Sequence, residues 1–144
     1  MTGGAGLDIL INNGAYLASK TKGFLPTTLS DPENVEMITA SFRNSVDTNV
    51  LGAINVTNTF LPLIRKGGQK KIVHVSSVMG DPRFVREARV VDTLSYSASK
   101  AMLNLMVAKY AVELAEQEVL VVALSPGYAT SLGILFLSLD MFGS

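Results

Sequence analysis

The feature that most constrains this chain is an alternation of two periodicities. Three short apolar runs, Leu7–Ile11, Lys71–Val75 and Val119–Leu124, are rich in Ile, Val and Leu. Each stops at a polar or Gly/Pro cluster: Asn12-Asn13-Gly14, Ser76-Ser77 and Ser125-Pro126-Gly127. Runs of that length with such boundaries read as buried strands. Between them lie two long segments with helical spacing. In residues 31–66 the apolar positions are Val35, Ile38, Phe42, Val46, Val50, Ile54 and Leu61; in 95–117 they are Ala98, Leu103, Val107, Tyr110 and Leu114. Ser30-Asp31-Pro32-Glu33 carries the residues of a helix start, and Gly67-Gly68 those of a stop. The first segment is long for one helix, so a bend is expected near 47–49. Residues 15–29 and 78–93 read as loops, and the apolar tail 128–144 is ambiguous.

The order is therefore strand, helix, strand, helix, strand. Each crossover is long enough to return the chain in parallel, with right-handed connections. Strands apolar almost throughout suit a sheet covered on both faces. The expected fold is α/β: a three-layer, Rossmann-like, doubly wound parallel sheet, present as a partial βαβαβ half in a single domain over 1–144.

Composition removes several function classes. With 48% hydrophobic and 17% charged residues the chain has the material for a core. Twelve Lys+Arg against twelve Asp+Glu give no net charge, which disfavours nucleic-acid binding by bulk electrostatics. Without Cys there is no disulfide, thiolate metal site or Cys nucleophile, and a single His excludes a multi-histidine metal centre. The apolar stretch 132–139 is too short to span a membrane, and no targeting segment is visible. A cytoplasmic protein is the expectation.

In doubly wound sheets ligands bind beyond the carboxyl ends of the strands. Just after the second strand comes Tyr96-Ser97-Ala98-Ser99-Lys100. Tyr and Lys four apart at a helix start share one face. An ammonium favours a neighbouring phenolate, the requirement for proton exchange near neutral pH. Ser77, at a strand end, can hold a substrate oxygen against Tyr96. Arg83, Arg86 and Arg89, balanced by Asp81, Glu87 and Asp92, read as a solvated loop. His74 reads as a strand histidine, and Met102 and Met106 as core or interface filler.

At these residues the chain resembles the short-chain dehydrogenase/reductase family. Asn12-Asn13-Gly14-Ala15 resembles the family's Asn-Asn-Ala-Gly with the last two residues exchanged. Asn49-Val50-Leu51-Gly52 is similar to its helix motif, Ser77-Val78-Met79-Gly80 to its strand-end motif, and Tyr96 to Lys100 to its catalytic pair. Pro126-Gly127-Tyr128-Ala129-Thr130-Ser131 resembles its Pro-Gly loop, with Ser131 at the usual Thr position. The resemblance implies NAD- or NADP-dependent hydride transfer to or from a carbonyl or secondary alcohol. It implies catalytic roles for Asn49, Ser77, Tyr96 and Lys100. It implies cofactor contacts from Asn13, Gly14, Tyr96, Lys100, Pro126, Gly127, Ala129 and Ser131, with no metal.

The family's opening strand, Gly-rich turn and helix, which bind the pyrophosphate, have no counterpart in this sequence. Thr2-Gly3-Gly4-Ala5-Gly6 precedes a strand and reads as a loop. In the family's strand order the chain would supply strands four to six, leaving its first strand as an apolar edge. Weak or no independent NAD(P) binding is expected. A small-molecule substrate and a homo-oligomer through helices 31–66 and 95–117 are expected; no nucleic acid or membrane partner is. The alternative is an inert, truncated member serving as an interaction module or an incomplete gene product.

Overall fold

The central strand carries the most buried part of the sheet. In a computed structural model that describes residues 5–19 and 23–127, β2 (Lys71–Val75) lies between β1 (Ile9–Asn12) and β3 (Leu120–Leu124), all parallel. Leu10 stands opposite Ile72 and Ile72 opposite Val121; Asn12 stands opposite His74 and His74 opposite Ala123. Side chains alternate along a strand, so these residues share one face.

That face is covered by α2 (Ala53–Ile64) and α4 (Leu94–Leu114). Ile64, Ile72 and Leu114 are fully buried, and Leu61, Leu103, Val107, Val119 and Val121 complete the core. The other face bears Ile9, Ile11 and Leu120, which are 39%, 61% and 54% exposed, with Val73, Val75, Val122 and Leu124 half-buried. The expected second covering layer is not supplied by the described residues. Within them β1 is an edge strand with apolar side chains.

The long first crossover is built in three parts. Helix α1 (Val35–Val46) passes into a π-helical turn, Asp47–Gly52, and then into α2. The bend expected near 47–49 is this turn, where one extra residue per turn re-aims the side chains that follow. The helix starts later than Ser30–Glu33 suggested: residues 32–34 form a turn, and Asn34 stands at the cap position. Residues 78–93 are not a plain loop. They hold a 3₁₀ turn, Val78–Gly80, and helix α3 (Pro82–Glu87), capped by the Asp81 carboxylate, which accepts from the Arg83 N–H at 2.8 Å. A polar stretch with Asp-Pro reads as a turn, and here the same pair starts a helix, since Pro is pre-organised for its first turn.

After α2 the chain doubles back against the lead-in to β1. Leu7 N–H donates to the Leu63 carbonyl at 3.0 Å, and the Asp8 carboxylate accepts from the Gly68 N–H at 2.7 Å. A Cβ at Gly67 would overlap the Leu7 carbonyl. Gly67→Ala is therefore expected to cost about 1–3 kcal/mol through overpacking of backbone on backbone. Urea unfolding reads this as a lower midpoint at unchanged slope; an unchanged midpoint shows the backbone yields there.

Candidate active site

Helix α4 opens at Thr93, whose φ of 57° is left-handed. Such strain in a β-branched residue is seldom retained without a function nearby. One turn further on stand Tyr96, half-buried, and the buried pair Ser99 and Lys100. The Lys100 Nζ lies 5.6 Å from the centre of the Tyr96 ring, within the range where ammonium and ring attract. The same Nζ donates to the Val75 carbonyl, the last of β2, at 2.7 Å. Burial pulls the Lys100 ammonium below the usual lysine range. The expected sharing of one helical face by Tyr96 and Lys100 is met.

Ser77 follows β2 in extended backbone and caps the 3₁₀ turn, its hydroxyl accepting from the Met79 N–H at 3.2 Å. The Val78 N–H donates to the Ser125 hydroxyl at 3.0 Å, tying the end of β2 to the end of β3. The turn lies directly on α4: a Cβ at Gly80 would stand 2.7 Å from both the Ala101 nitrogen and the Lys100 carbonyl carbon. Glycine at 80 thus lets the segment capped by Ser77 reach the helical turn that carries Lys100.

Asn49, in the π-helical turn, is buried. Its Oδ1 accepts from the Tyr16 N–H at 2.6 Å, and its Nδ2 donates to the Tyr16 carbonyl at 3.0 Å and to the Ser99 hydroxyl at 2.8 Å. The Asn49 side chain therefore joins the loop after β1 to the start of α4.

Of the residues expected at the cofactor end, Asn13 and Gly14 are exposed beyond β1. Pro126 and Gly127 are exposed beyond β3, with Gly127 in the left-handed region at φ 75°. Ala129 and Ser131, with Tyr128, Thr130 and the rest of the tail, lie outside the described residues, as do Thr2 to Gly4. The neighbour of Asn13 ties β1 to the central strand and to α2. The Asn12 Nδ2 donates to the Thr57 hydroxyl at 3.1 Å and meets His74 Nδ1 at 3.3 Å. Thr57 Oγ1 stands 3.5 Å from His74 Nε2. Strand parity was the missed signal, since Asn12 and His74 are register partners facing the helices.

Two further features bear on the motif reading. Ser76 donates to Asn104 Oδ1 at 2.5 Å, a second bond from the end of β2 to α4. The sequence also holds another Tyr-x-x-x-Lys, Tyr16 to Lys20. Tyr16 lies in irregular backbone, and Lys20 is outside the described residues. Spacing does not separate the two matches; placement of Tyr96 on a helix does. Among the described residues no cluster of His, Asp or Glu is arranged to hold a metal.

The sequence profile of the short chain dehydrogenases matches residues 2–132. The chain belongs to the short-chain dehydrogenase family. Short-chain dehydrogenase/reductase AacuF of Aspergillus aculeatus is 44% identical over 125 residues, covering 86% of this chain and 46% of its own length. Short-chain dehydrogenase/reductase atnB of an Arthrinium species is 39% identical over 130 residues, covering 88% and 47%. The NADPH-bound carbonyl reductase from chicken fatty liver superposes with a TM-score of 0.68 at 25% identity, over 86% of this chain and 47% of that one. The carbonyl reductase Sniffer of Caenorhabditis elegans gives 0.67 at 25% identity, over 88% and 53%. This short-chain dehydrogenase chain thus spans about half the length of the relatives it matches.

The described residues fit one end of a nicotinamide cofactor. Gly14, where a Cβ would meet nothing within 4 Å, follows β1, and the left-handed Gly127 follows β3. The Lys100 ammonium is held at the end of β2, the strand between them. No Gly-rich turn leads from a strand into a helix among the described residues, so the pyrophosphate has no such anchor there.

His74 makes the pH dependence of this short-chain dehydrogenase chain calculable in sign. Burial, and then the Lys100 charge, lower its pKa from 6.5 to about 4. The unfolded chain binds a proton there at higher pH than the folded one, so stability is full above about 6.5 and falls as pH drops toward 4. The loss is on the order of 3 kcal/mol across that window. Chemical unfolding at stepped pH checks it, and His74→Gln is expected to flatten the slope. An unchanged slope in the variant assigns the effect to other groups.

Proposed function

We propose that this chain carries the proton-transfer half of an NAD- or NADP-dependent oxidoreductase acting on a carbonyl or secondary alcohol. The observation that carries the reading is the packing of Lys100 beneath Tyr96, beside the turn capped by Ser77, at the carboxyl ends of parallel strands. Tyr96 gives a proton to the forming alkoxide in reduction and takes it back in oxidation. Lys100, a fixed positive charge below the ring, stabilises the phenolate left behind. Ser77 donates to the substrate oxygen once its hydroxyl turns from the backbone. Asn49 holds the wall of the crevice through Tyr16. A bound nicotinamide cofactor supplies or accepts the hydride, and Asn13, Gly14, Lys100, Pro126, Gly127, Ala129 and Ser131 are the residues proposed to hold it. With one end of the cofactor anchored, binding by this chain alone is weak. The setting is aqueous and reducing, the cytoplasm; no described helix is long and apolar enough to cross a membrane.

Tyr96→Phe tests the reading. With NADPH and a panel of small ketones, turnover is expected to fall by about 10²–10⁴, the usual worth of general acid–base catalysis, while the circular dichroism spectrum stays unchanged. Retained turnover removes Tyr96 from the role. An inert parent chain supports the non-catalytic alternative.

A second copy is the proposed partner for the outer faces of α2 and α4. Val56, Phe60 and Leu63 on α2 and Met102, Leu105 and Val112 on α4 are exposed apolar residues, Leu105 at 63% and Val112 at 77%. Leu105→Lys is expected to turn a sedimenting dimer into a monomer. A parent chain that sediments as a monomer refutes the pairing.

A further inference from the structure

The Ser99 hydroxyl stands between the two parts of the site that no strand or helix joins directly. It donates to the Tyr96 carbonyl at 2.7 Å and accepts from Asn49 Nδ2 at 2.8 Å. Ser99 is fully buried and Asn49 nearly so, so neither has water as a substitute partner. A hydroxyl has one proton. With that proton on Tyr96, only a lone pair remains toward Asn49, and the atom facing it must be a donor. That matches what Tyr16 requires, since its N–H needs Oδ1 and its carbonyl needs Nδ2. The four groups form one polarised chain in which each bond strengthens the next.

We propose that Ser99 is a positioning residue, which couples the Asn49 clamp on the Tyr16 backbone to the helical turn bearing Tyr96. Its importance to turnover rests on the proton-transfer role of Tyr96; the coupling itself does not. The loop after β1, Asn13 to Tyr16, is one wall of the crevice, and Tyr96 stands on another. Without the Ser99 hydroxyl, Asn49 Nδ2 keeps a single acceptor and the carboxamide is free to rock. The wall then loosens relative to the phenol, although the hydrophobic core below is untouched.

Amide hydrogen exchange on the full 144-residue chain, followed by NMR, reads the coupling without any need for activity. In Ser99→Ala the Tyr16 amide is expected to exchange roughly tenfold faster, the consequence of a buried donor left one partner short. The Ile72 amide in the central strand stays as protected as before. Ser95→Ala is the control: Ser95 is also buried, one turn earlier on α4, and its hydroxyl pairs with Ser41 at 2.7 Å. It is expected to leave Tyr16 protection unchanged. Unaltered Tyr16 exchange in Ser99→Ala, or the same acceleration in Ser95→Ala, overturns the proposal. If Ser99→Ala does not fold, Ser99→Cys carries the same comparison, because a thiol is a weak acceptor of similar shape. Faster Tyr16 exchange alongside an inert parent chain leaves the coupling standing and removes the oxidoreductase reading.

Discussion

The site depends on one charge-assisted hydrogen bond, from the Lys100 ammonium to the last carbonyl of β2. An ammonium with 1% of its residue surface exposed is costly unless its hydrogens find acceptors. The Val75 carbonyl is a natural acceptor, since the last carbonyls of a strand at a sheet end are released from the ladder. The bond pins the first turns of α4 to the carboxyl end of the central strand. Tyr96, one turn earlier, is thereby held near the carboxyl end of the central strand. The lowered pKa of Lys100 and that of His74 on the same strand follow from the same burial.

Around this bond the structure adds close backbone approaches and short polar links instead of large apolar contacts. Gly80 lets the turn after β2 lie on the α4 backbone. Ser76 reaches Asn104, Ser125 receives Val78, and Ser41 meets Ser95. Such bonds add little net stability each, but leaving a buried partner unmade is expensive, so they fix geometry more than they strengthen the fold. The hydrophobic core is below them, where α2 and α4 cover one face of the sheet.

The open face is the counterpart of that arrangement. Ile9, Ile11 and Leu120 are the exposed members of an alternation whose other members are core. In a sheet of parallel strands both faces normally bear helices. The relatives matched by this chain are about twice the length of the matched region.

Alternating periodicity determined the order of strands and helices, and turn-forming clusters set the strand ends to within two residues. The placement of Tyr96 and Lys100 on one helical face, and of Ser77 at a strand end, was legible too, because helix and strand-end spacings are local. The start of α1 and the helix in 82–87 were not, since capping and Asp-Pro signals mark turns and helix starts alike. Nor could spacing choose between Tyr96 and Tyr16, both followed by Lys four residues on. Periodicity put Tyr96 on a helix and Tyr16 in a loop; only the tertiary structure decided that this helix docks at a strand end, while Tyr16 is held by its backbone. Likewise it alone assigned Asn12, not Asn13, to the sheet, and placed Ser99 between Asn49 and Tyr96. Those choices rest on contacts between residues 25 to 62 positions apart, and distance in space is not written in local pattern.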